Sequence, residues 1–569
     1  MEKLNHRCAI ALIALASASN ALAQPASSSI ISLDAGSGKV FVANADANSV
    51  SVLDSATHRK LAEIPVGKSP RTLALDARHS LLFTANFAEA SVSIVALSSV
   101  TVIATIPVAH EPYGVVCSPV EDRAFVACSG AGVIVVLDTA ARRVLGEIPV
   151  APLPRGLAVS ADGRHLYVTH LFSGGVSIVD IAGRKVSARI PAVPGGNMAQ
   201  FILINPAGTR AYVPHIRSNT SARRQVFDSM IFPVVSALDL GANESVRREL
   251  IGLDAVDQPV NLPFAASLTP DGKRLCVVNS GSNDVSVIDL ATHSAVAHIA
   301  VGANPRGIVI TPDGATGFVA NHVSGDVSVI DLAAMRVTET VPVTTDPRPA
   351  TEKRGQKLFF TSAMPELTRD HWVSCASCHF DGDTDGRTWN TVRGPRNTQS
   401  LFSVHETHPL HWSADRDSVQ DFQKTLQGEM GGRGLAPSQL DDLAAFVNSL
   451  RLPPNPNANP NGPLAARAKH GESVFASVRT QCATCHAPPL YTDRKLHDVG
   501  TGGGEAEKVG PQFDTPSLRG LFATAPYLHD GTATLKEVLT TKNSGNRHGI
   551  TSHLTAEELD DLVAFLLTR

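Results

Sequence analysis

Two copies of Cys-x-x-Cys-His stand in the C-terminal third of the 569-residue chain: Cys375-Ala376-Ser377-Cys378-His379 and Cys482-Ala483-Thr484-Cys485-His486. Thiols three positions apart on one helical turn reach two vinyl groups of a porphyrin, and the histidine that follows lies under the iron as proximal ligand. The two motifs therefore read as two covalent c-type haem sites, with Cys375, Cys378, Cys482 and Cys485 as thioether residues and His379 and His486 as iron ligands. Zinc is the competing reading, because a Cys-x-x-Cys pair can be half of a structural zinc site. Two distant pairs, each closed by a histidine, fit it poorly.

Residues 1–23 have the form of a secretory signal peptide: Lys3 and Arg7 precede an apolar run from Cys8 to Ala18, and Ala21-Leu22-Ala23 ends before Gln24. A soluble periplasmic protein is expected, with no membrane span, since no later stretch reaches the eighteen or so apolar residues that crossing a bilayer requires. Covalent haem attachment in bacteria takes place outside the cytoplasm, so compartment and cysteine usage agree. Without the leader, 47 basic face 52 acidic side chains, which makes nucleic acid an unsuitable partner.

The elements that must position the motifs fall into two regions. From about residue 30 to 344 the chain repeats every 42 residues: Asn44, Asn86, Cys128 and His170 keep that interval, as do Asn279 and Asn321, and a strand-ending acid recurs at Asp54, Asp138, Asp180, Asp289 and Asp331. Each unit reads as four short strands, hence one propeller blade. Seven units start near Gly38, His79, Asp122, Arg164, Thr209, Lys273 and Ala315; the seventh lacks a strand, which Ser29 to Asp34 would supply by overlapping the chain ends. Asp180 to Asp289 spans 109 residues where two repeats need 84, so some 25 residues are inserted around His215 to Val234 and Ala242 to Pro259, as a docking loop or as decoration. Cys117, Cys128 and Cys276 fall on strands, the first two able to face each other across one hairpin; buried free thiols are expected.

After Val341 the pattern becomes helical and is itself duplicated. Arg354-Gly355-Gln356-Lys357-Leu358-Phe359 is echoed by His470-Gly471-Glu472-Ser473-Val474-Phe475, and Leu440 to Phe446 by Leu559 to Phe565, with Thr555 and Glu558 as a capping box. The fold expected is multidomain: signal peptide 1–23, an all-β seven-bladed propeller 29–344, a mainly α cytochrome c module 345–452, a Pro/Asn-rich linker 453–463 that cannot be helical, and a second cytochrome c module 464–569.

The repeat, with Tyr167-Val168-Thr169-His170 as a near copy, resembles the YVTN family of seven-bladed propellers. Downstream of the first haem motif come Gly394-Pro395-Arg396-Asn397, His411-Trp412, Asp415-Arg416 and Gln427-Gly428-Glu429-Met430; downstream of the second come Phe513 to Arg519 and Thr524 to Gly531. These motifs resemble the di-haem cytochrome c peroxidase family, which includes the MauG-type enzymes. The resemblance implies a peroxidase-like oxidoreductase that reduces hydrogen peroxide, or oxidises a docked protein, with electrons relayed from the second haem to the first. It implies a small periplasmic cytochrome c or cupredoxin as electron partner. Glu429 falls where the family places the carboxylate that moves a proton between peroxide oxygens, and Trp412 at the aromatic residue between the haems. Arg416 falls at a propionate or hydrogen-bond partner, and Asn397 with the carbonyls of Thr524 and Pro526 resembles the inter-haem calcium site.

Two departures bear on ligation. Where many members carry a second axial histidine for the first haem, this chain has Asp381-Gly382-Asp383-Thr384-Asp385-Gly386-Arg387, so an open sixth position is expected, with His405, His408 and His411 as alternatives. No methionine lies beyond Met430 for the second haem; His548 or Lys542 is the nitrogen donor available, and either would lower the potential relative to a thioether. A second reading makes the chain a non-enzymatic electron carrier with the propeller as docking platform. A third makes the propeller a quinone-cofactor dehydrogenase with a haem outlet, against which Trp372, Trp389 and Trp412 all lie in the haem region. A haem-d nitrite reductase arrangement matches poorly in blade count and domain order.

Overall fold

The 42-residue period has a hydrogen-bonding cause. In the computed structural model, which describes residues 24–222, 226–227, 229–253 and 259–569, the recurring Asn44 ends the second strand of its blade, buried, and donates to Ser49 and Ser51 on the third strand at 2.9 and 2.8 Å. Asn86 meets Ser91 and Ser93, and Asn321 meets Asp326 and Ser328, in the same way; His170 instead donates from Nδ1 to the Pro152 carbonyl and accepts at Nε2 from the Ser177 hydroxyl. A buried amide left without such partners would cost about 1–3 kcal/mol, so a blade with asparagine here needs a polar partner; blade 3, with Cys128 opposite Val133, does not. The strand-ending acids cap turns: Asp54 Oδ1 accepts from the Ala56 and Thr57 amides, and Asp331 Oδ1 from Ala333 and Ala334.

Seven antiparallel sheets form the propeller, each blade beginning with its innermost strand. Blade 1 runs Ile31–Asp34, Lys39–Asn44, Ser49–Asp54, Lys60–Pro65; the inner strands that follow are Pro70–Asp76, Pro112–Cys117, Pro154–Val159, the short Leu203–Ile204, Pro263–Leu268 and Pro305–Ile310. The expected closure by overlapping ends is corrected by this topology. Ile31–Asp34 pairs with Lys39–Asn44 inside blade 1, and blade 7 is complete with Pro305–Ile310 through Arg336–Pro342. A cyclic repeat carries no intrinsic phase, so periodicity alone could not say which strand of four is innermost; the unit starts read from the sequence are offset by one strand. Side chains join the ring instead: Ser51 Oγ donates to the Val343 carbonyl at 2.7 Å, and Thr344 Oγ1 to Glu63 at 2.7 Å. The N-terminal stretch crosses the central channel, Ala26–Ser27 pairing with the inner strand of blade 4 and Ser29 bridging Leu73 of blade 2.

Cys117 and Cys128 do not face each other. Their hairpin register pairs Cys117 with Ala124 and Cys128 with Pro112, placing the two free, buried thiols at opposite ends. The insertion lengthens three strands of blade 5 to nine residues each, Arg210–Ser218, Ile231–Asp239 and Glu244–Gly252.

The duplicated cytochrome halves are two crossed helix pairs. Ala350–Phe360 packs on Pro437–Ser449, and Ala465–Ala476 on Ala556–Leu567. The echoed glycines explain the duplication: a Cβ on Gly355 would sit 1.9 Å from the Asp442 carbonyl oxygen, and one on Gly471 1.9 Å from that of Asp561. Only glycine lets the backbones approach so closely. Arg354 clamps Asp442 and Arg467 clamps Asp561 across the same crossings. Thr555 and Glu558 form the capping box expected. The linker, expected to be free of helix, holds one short 3-10 turn, Pro456–Ala458, because the Asn455 side chain accepts from the Asn457 amide. Among the described residues no helix is long and apolar enough to cross a membrane.

Candidate functional site

Cys375–Ser377 forms a single 3-10 turn, opened by Ser374, whose backbone N–H donates to Ser377 Oγ at 3.0 Å. The turn brings His379 round so that its Nδ1 meets the Gln399 carbonyl at 2.9 Å. Nε2 is thereby left for a metal, the usual arrangement of a ligating histidine. Burial pushes this imidazole down to about 4 and the Cys375 thiol up to about 11, so near neutral pH the ring is uncharged and the thiol protonated. The second motif repeats the design: Cys482–Cys485 is one helical turn, and His486 Nδ1 meets the Tyr491 carbonyl at 3.1 Å.

His548 faces His486 with ring centroids 6.2 Å apart and planes inclined by 36°. Two imidazoles bound on opposite sides of one metal at about 2.0–2.1 Å put their ring centres roughly 6 Å apart, so this pair fits one iron between them. Burial and the neighbouring His486 hold His548 neutral, pushed down to about 4. Lys542, the other donor expected, is exposed at the end of a short helix, its backbone N–H on the Glu537 carbonyl. The donor sets at both motifs thus suit covalently attached haem.

Both motifs open into one cavity of about 670 Å³, which all three tryptophans line. Trp412 spans the two modules within it: its Nε1 donates to the Asn397 carbonyl at 2.9 Å, and its own carbonyl accepts from the Asp514 amide at 2.8 Å. Glu429 also lines the cavity, and its Oε1 accepts from Arg393 Nη1 at 2.8 Å. Arg393 in turn holds Asp415 at 2.9 Å, which accepts from His411 Nδ1 at 2.8 Å and from Arg416 at 2.8 Å. Burial raises the Asp415 carboxyl, but His411, Arg393 and Arg416 outweigh it and hold the group well below the usual carboxylate range. Arg416 is buried and also reaches Thr425 at 3.3 Å. Of the alternative ligands, His411 is engaged by Asp415, His408 by the Asp417 carbonyl at 2.8 Å, and His405 stands 3.5 Å from Glu406. Asn397 and Pro526 meet around Gly531, where a Cβ would lie 2.7 Å from the Asn397 amide and 3.3 Å from the Pro526 ring; Thr524 turns its hydroxyl to the Leu521 carbonyl.

The structure gives roles to several residues that the sequence named without a role, or, for Asn261 and Glu507, did not single out. Asp381, two residues past His379, enters the propeller channel and pairs with Arg306 at 2.5 Å and Arg71 at 3.1 Å. Asn261, fully buried on the propeller, donates to the Trp372 carbonyl at 2.8 Å and accepts from the Ser374 and Ser377 hydroxyls at 3.2 and 3.0 Å. Met230 and Ile231, from the blade 5 insertion, line the cavity, and the Thr220 carbonyl accepts from the Asn390 amide. The insertion therefore packs on the cytochrome region of its own chain. Between the modules, buried Glu507 pairs with Arg396 at 2.7 Å and stands 3.4 Å from His529, whose ring stacks on Phe513 at 3.8 Å. Burial and the charge of Asp493 push Asp514, beside Trp412, up to about 7.

The comparisons divide as the structure does. The family described as "Lactonase, 7-bladed beta-propeller" matches residues 230–363, and "Cytochrome C oxidase, cbb3-type, subunit III" matches residues 466–566. Hydrazine synthase subunit gamma of Kuenenia stuttgartiensis is 30% identical over 254 residues, 34% of this chain and 71% of that protein. Methylamine utilization protein MauG of Methylorubrum extorquens is 28% identical over 38% of this chain and 76% of its own length. The chain belongs to their family. Cytochrome-c peroxidase IdrP1 of Denitromonas iodatirespirans, 25% identical over 37% of this chain and 79% of its own, extends the MauG and cytochrome c peroxidase group. Membership implies c-type haem and oxidoreductase chemistry, in a chain that adds a seven-bladed propeller.

Proposed function

We propose that this chain is an exported, periplasmic, di-haem peroxidase that reduces hydrogen peroxide to two waters with two electrons and two protons, the electrons arriving from a small cytochrome c or cupredoxin. The carrying observation is the shared cavity: two haem-binding motifs open into one space, with Trp412 hydrogen-bonded to both modules and Glu429 on the wall. Cys375, Cys378 and His379 hold the peroxide-reacting haem, and Cys482, Cys485, His486 and His548 hold the relay haem. Bound haem supplies the redox change; the remaining work belongs to side chains. Arg393 fixes one carboxylate oxygen of Glu429 and leaves the other to move a proton between the peroxide oxygens. Asp415 anchors Arg393 and Arg416 so that the carboxylate stays aimed. Trp412 carries electrons from the second module to the first. The stretch Asp381 to Arg387 offers no histidine, which supports an open sixth position at the first haem; His411, which lines the cavity, is the alternative ligand that the spectra below would reveal. Asn397 with the carbonyls of Thr524 and Pro526 would take one calcium ion between the modules.

The test is steady-state peroxide consumption by the holoprotein with an artificial electron donor, together with its ferric absorption and EPR spectra. Turnover with one high-spin and one low-spin iron supports the reading. Two low-spin irons without turnover would leave an electron carrier, and turnover only on a protein substrate would place the chain with enzymes that oxidise a docked partner.

A further inference from the structure

The propeller channel is closed at the cytochrome side by a salt bridge that starts in the haem 1 loop. Asp381 follows His379 by two residues, and its carboxylate lies between Arg306, from the inner strand of blade 7, and Arg71, from that of blade 2. Arg306 is almost wholly buried, with Asn304 Oδ1 on its Nε at 2.7 Å. Its guanidinium sits 5.2 Å over Phe264, 5.2 Å over Phe360 and 5.7 Å over Phe380, one ring from the propeller and two from the cytochrome region. The residue next to the haem ligand thus forms part of the cage around a propeller arginine. Asn261 grips the same loop from blade 6 through Trp372, Ser374 and Ser377.

A half-buried carboxylate held between a buried cation, Arg306, and a half-buried one, Arg71, is an electrostatic element as well as a fastening. In a low-dielectric interior, charge beside a redox centre shifts its potential, and removing one member of the group leaves the rest uncompensated. We propose that Asp381 is a positioning residue for the first haem, and that Arg71 and Arg306 of the propeller channel are the counter-charges that set that centre's reduction potential. The propeller face is on this view a component of the redox site, occupied by its own chain, and not a platform kept free for a partner. The proposal rests on the reading of His379 as an iron ligand.

The two signs of charge make opposite predictions, which a loosened fold would not do. In full-length holoprotein followed by spectroelectrochemical titration, Asp381→Asn removes the negative charge, leaves the arginines in place, and moves one of the two reduction waves to higher potential. Arg71→Gln removes a positive charge while Arg306 still holds the carboxylate, and moves the same wave to lower potential. The other wave stays in both. Unmoved waves, or shifts of the same sign in the two variants, would overturn the proposal. If Asp381→Asn fails to accumulate with both haems attached, Arg71→Gln decides alone: a downward shift of one wave supports the proposal and no shift refutes it. A wild-type mass lacking the two haem additions would sink the ligand reading itself, which peroxide turnover tests separately.

Discussion

Glu429→Gln isolates proton movement from everything else at the site. The side chain keeps its length, and its amide oxygen can accept from Arg393 as Glu429 Oε1 does at 2.8 Å. Arg393 is not left unpaired, because Asp415 remains at 2.9 Å, so the fold should lose under about 1 kcal/mol, as for a partly exposed pair. What disappears is a group able to take and return a proton, a contribution of about 10²–10⁴ in rate, or roughly 2.7–5.4 kcal/mol of barrier at 1.36 kcal/mol per tenfold. The expected outcome is a fall of that size in kcat/KM for peroxide, with thermal midpoint and ferric spectrum unchanged. A fall of less than tenfold in protein with the wild-type spectrum would refute the assignment of Glu429, and a fall accompanied by spectral loss would show that the residue holds the fold instead.

Other perturbations address other links. Asn261→Ala orphans the buried Trp372 carbonyl and frees the Ser374 and Ser377 hydroxyls, so the folded state should lose roughly 2–4 kcal/mol by denaturant titration. Gly355→Ala and Gly471→Ala force a Cβ against a carbonyl oxygen at 1.9 Å, and each should destabilise its own helix pair by at least about 1–3 kcal/mol in thermal unfolding. His548→Ala should convert the second haem from low spin to high spin in the ferric spectrum, while Lys542→Ala leaves it unchanged. His215 is fully buried and pushed down to about 4 from 6.5 by burial. Its neutral form contributes stability that is complete above pH 6.5 and is lost as pH falls to about 4, roughly 3 kcal/mol; His215→Gln should flatten the stability profile over that window.

The haem motifs, the duplicated helices and the 42-residue repeat were legible because each is local. A Cys-x-x-Cys-His turn needs only five consecutive residues, and a repeat needs only its own copies. The echoed Gly355 and Gly471 were visible as a pattern, although their purpose, backbone contact with Asp442 and Asp561, belongs to helices nearly ninety residues away. The channel arginines were legible too and went unread: Arg71, Tyr113 and Arg155 stand 42 apart, as do Phe264 and Arg306, each just after the proline that opens an inner strand. A position repeated once per blade and occupied by large or charged residues is the signal of a channel lining.

The amino-acid sequence alone determined the redox chemistry and the two architectures, since thiol spacing and strand periodicity are properties of short segments. It could not determine the phase of the ring, because a cyclic repeat looks the same from every starting strand. Nor could it say where the first haem motif would be held. That motif meets Arg71, Asn261 and Arg306 from three different blades, contacts separated by up to 310 residues, and only closure of the propeller brings those three side chains to one point.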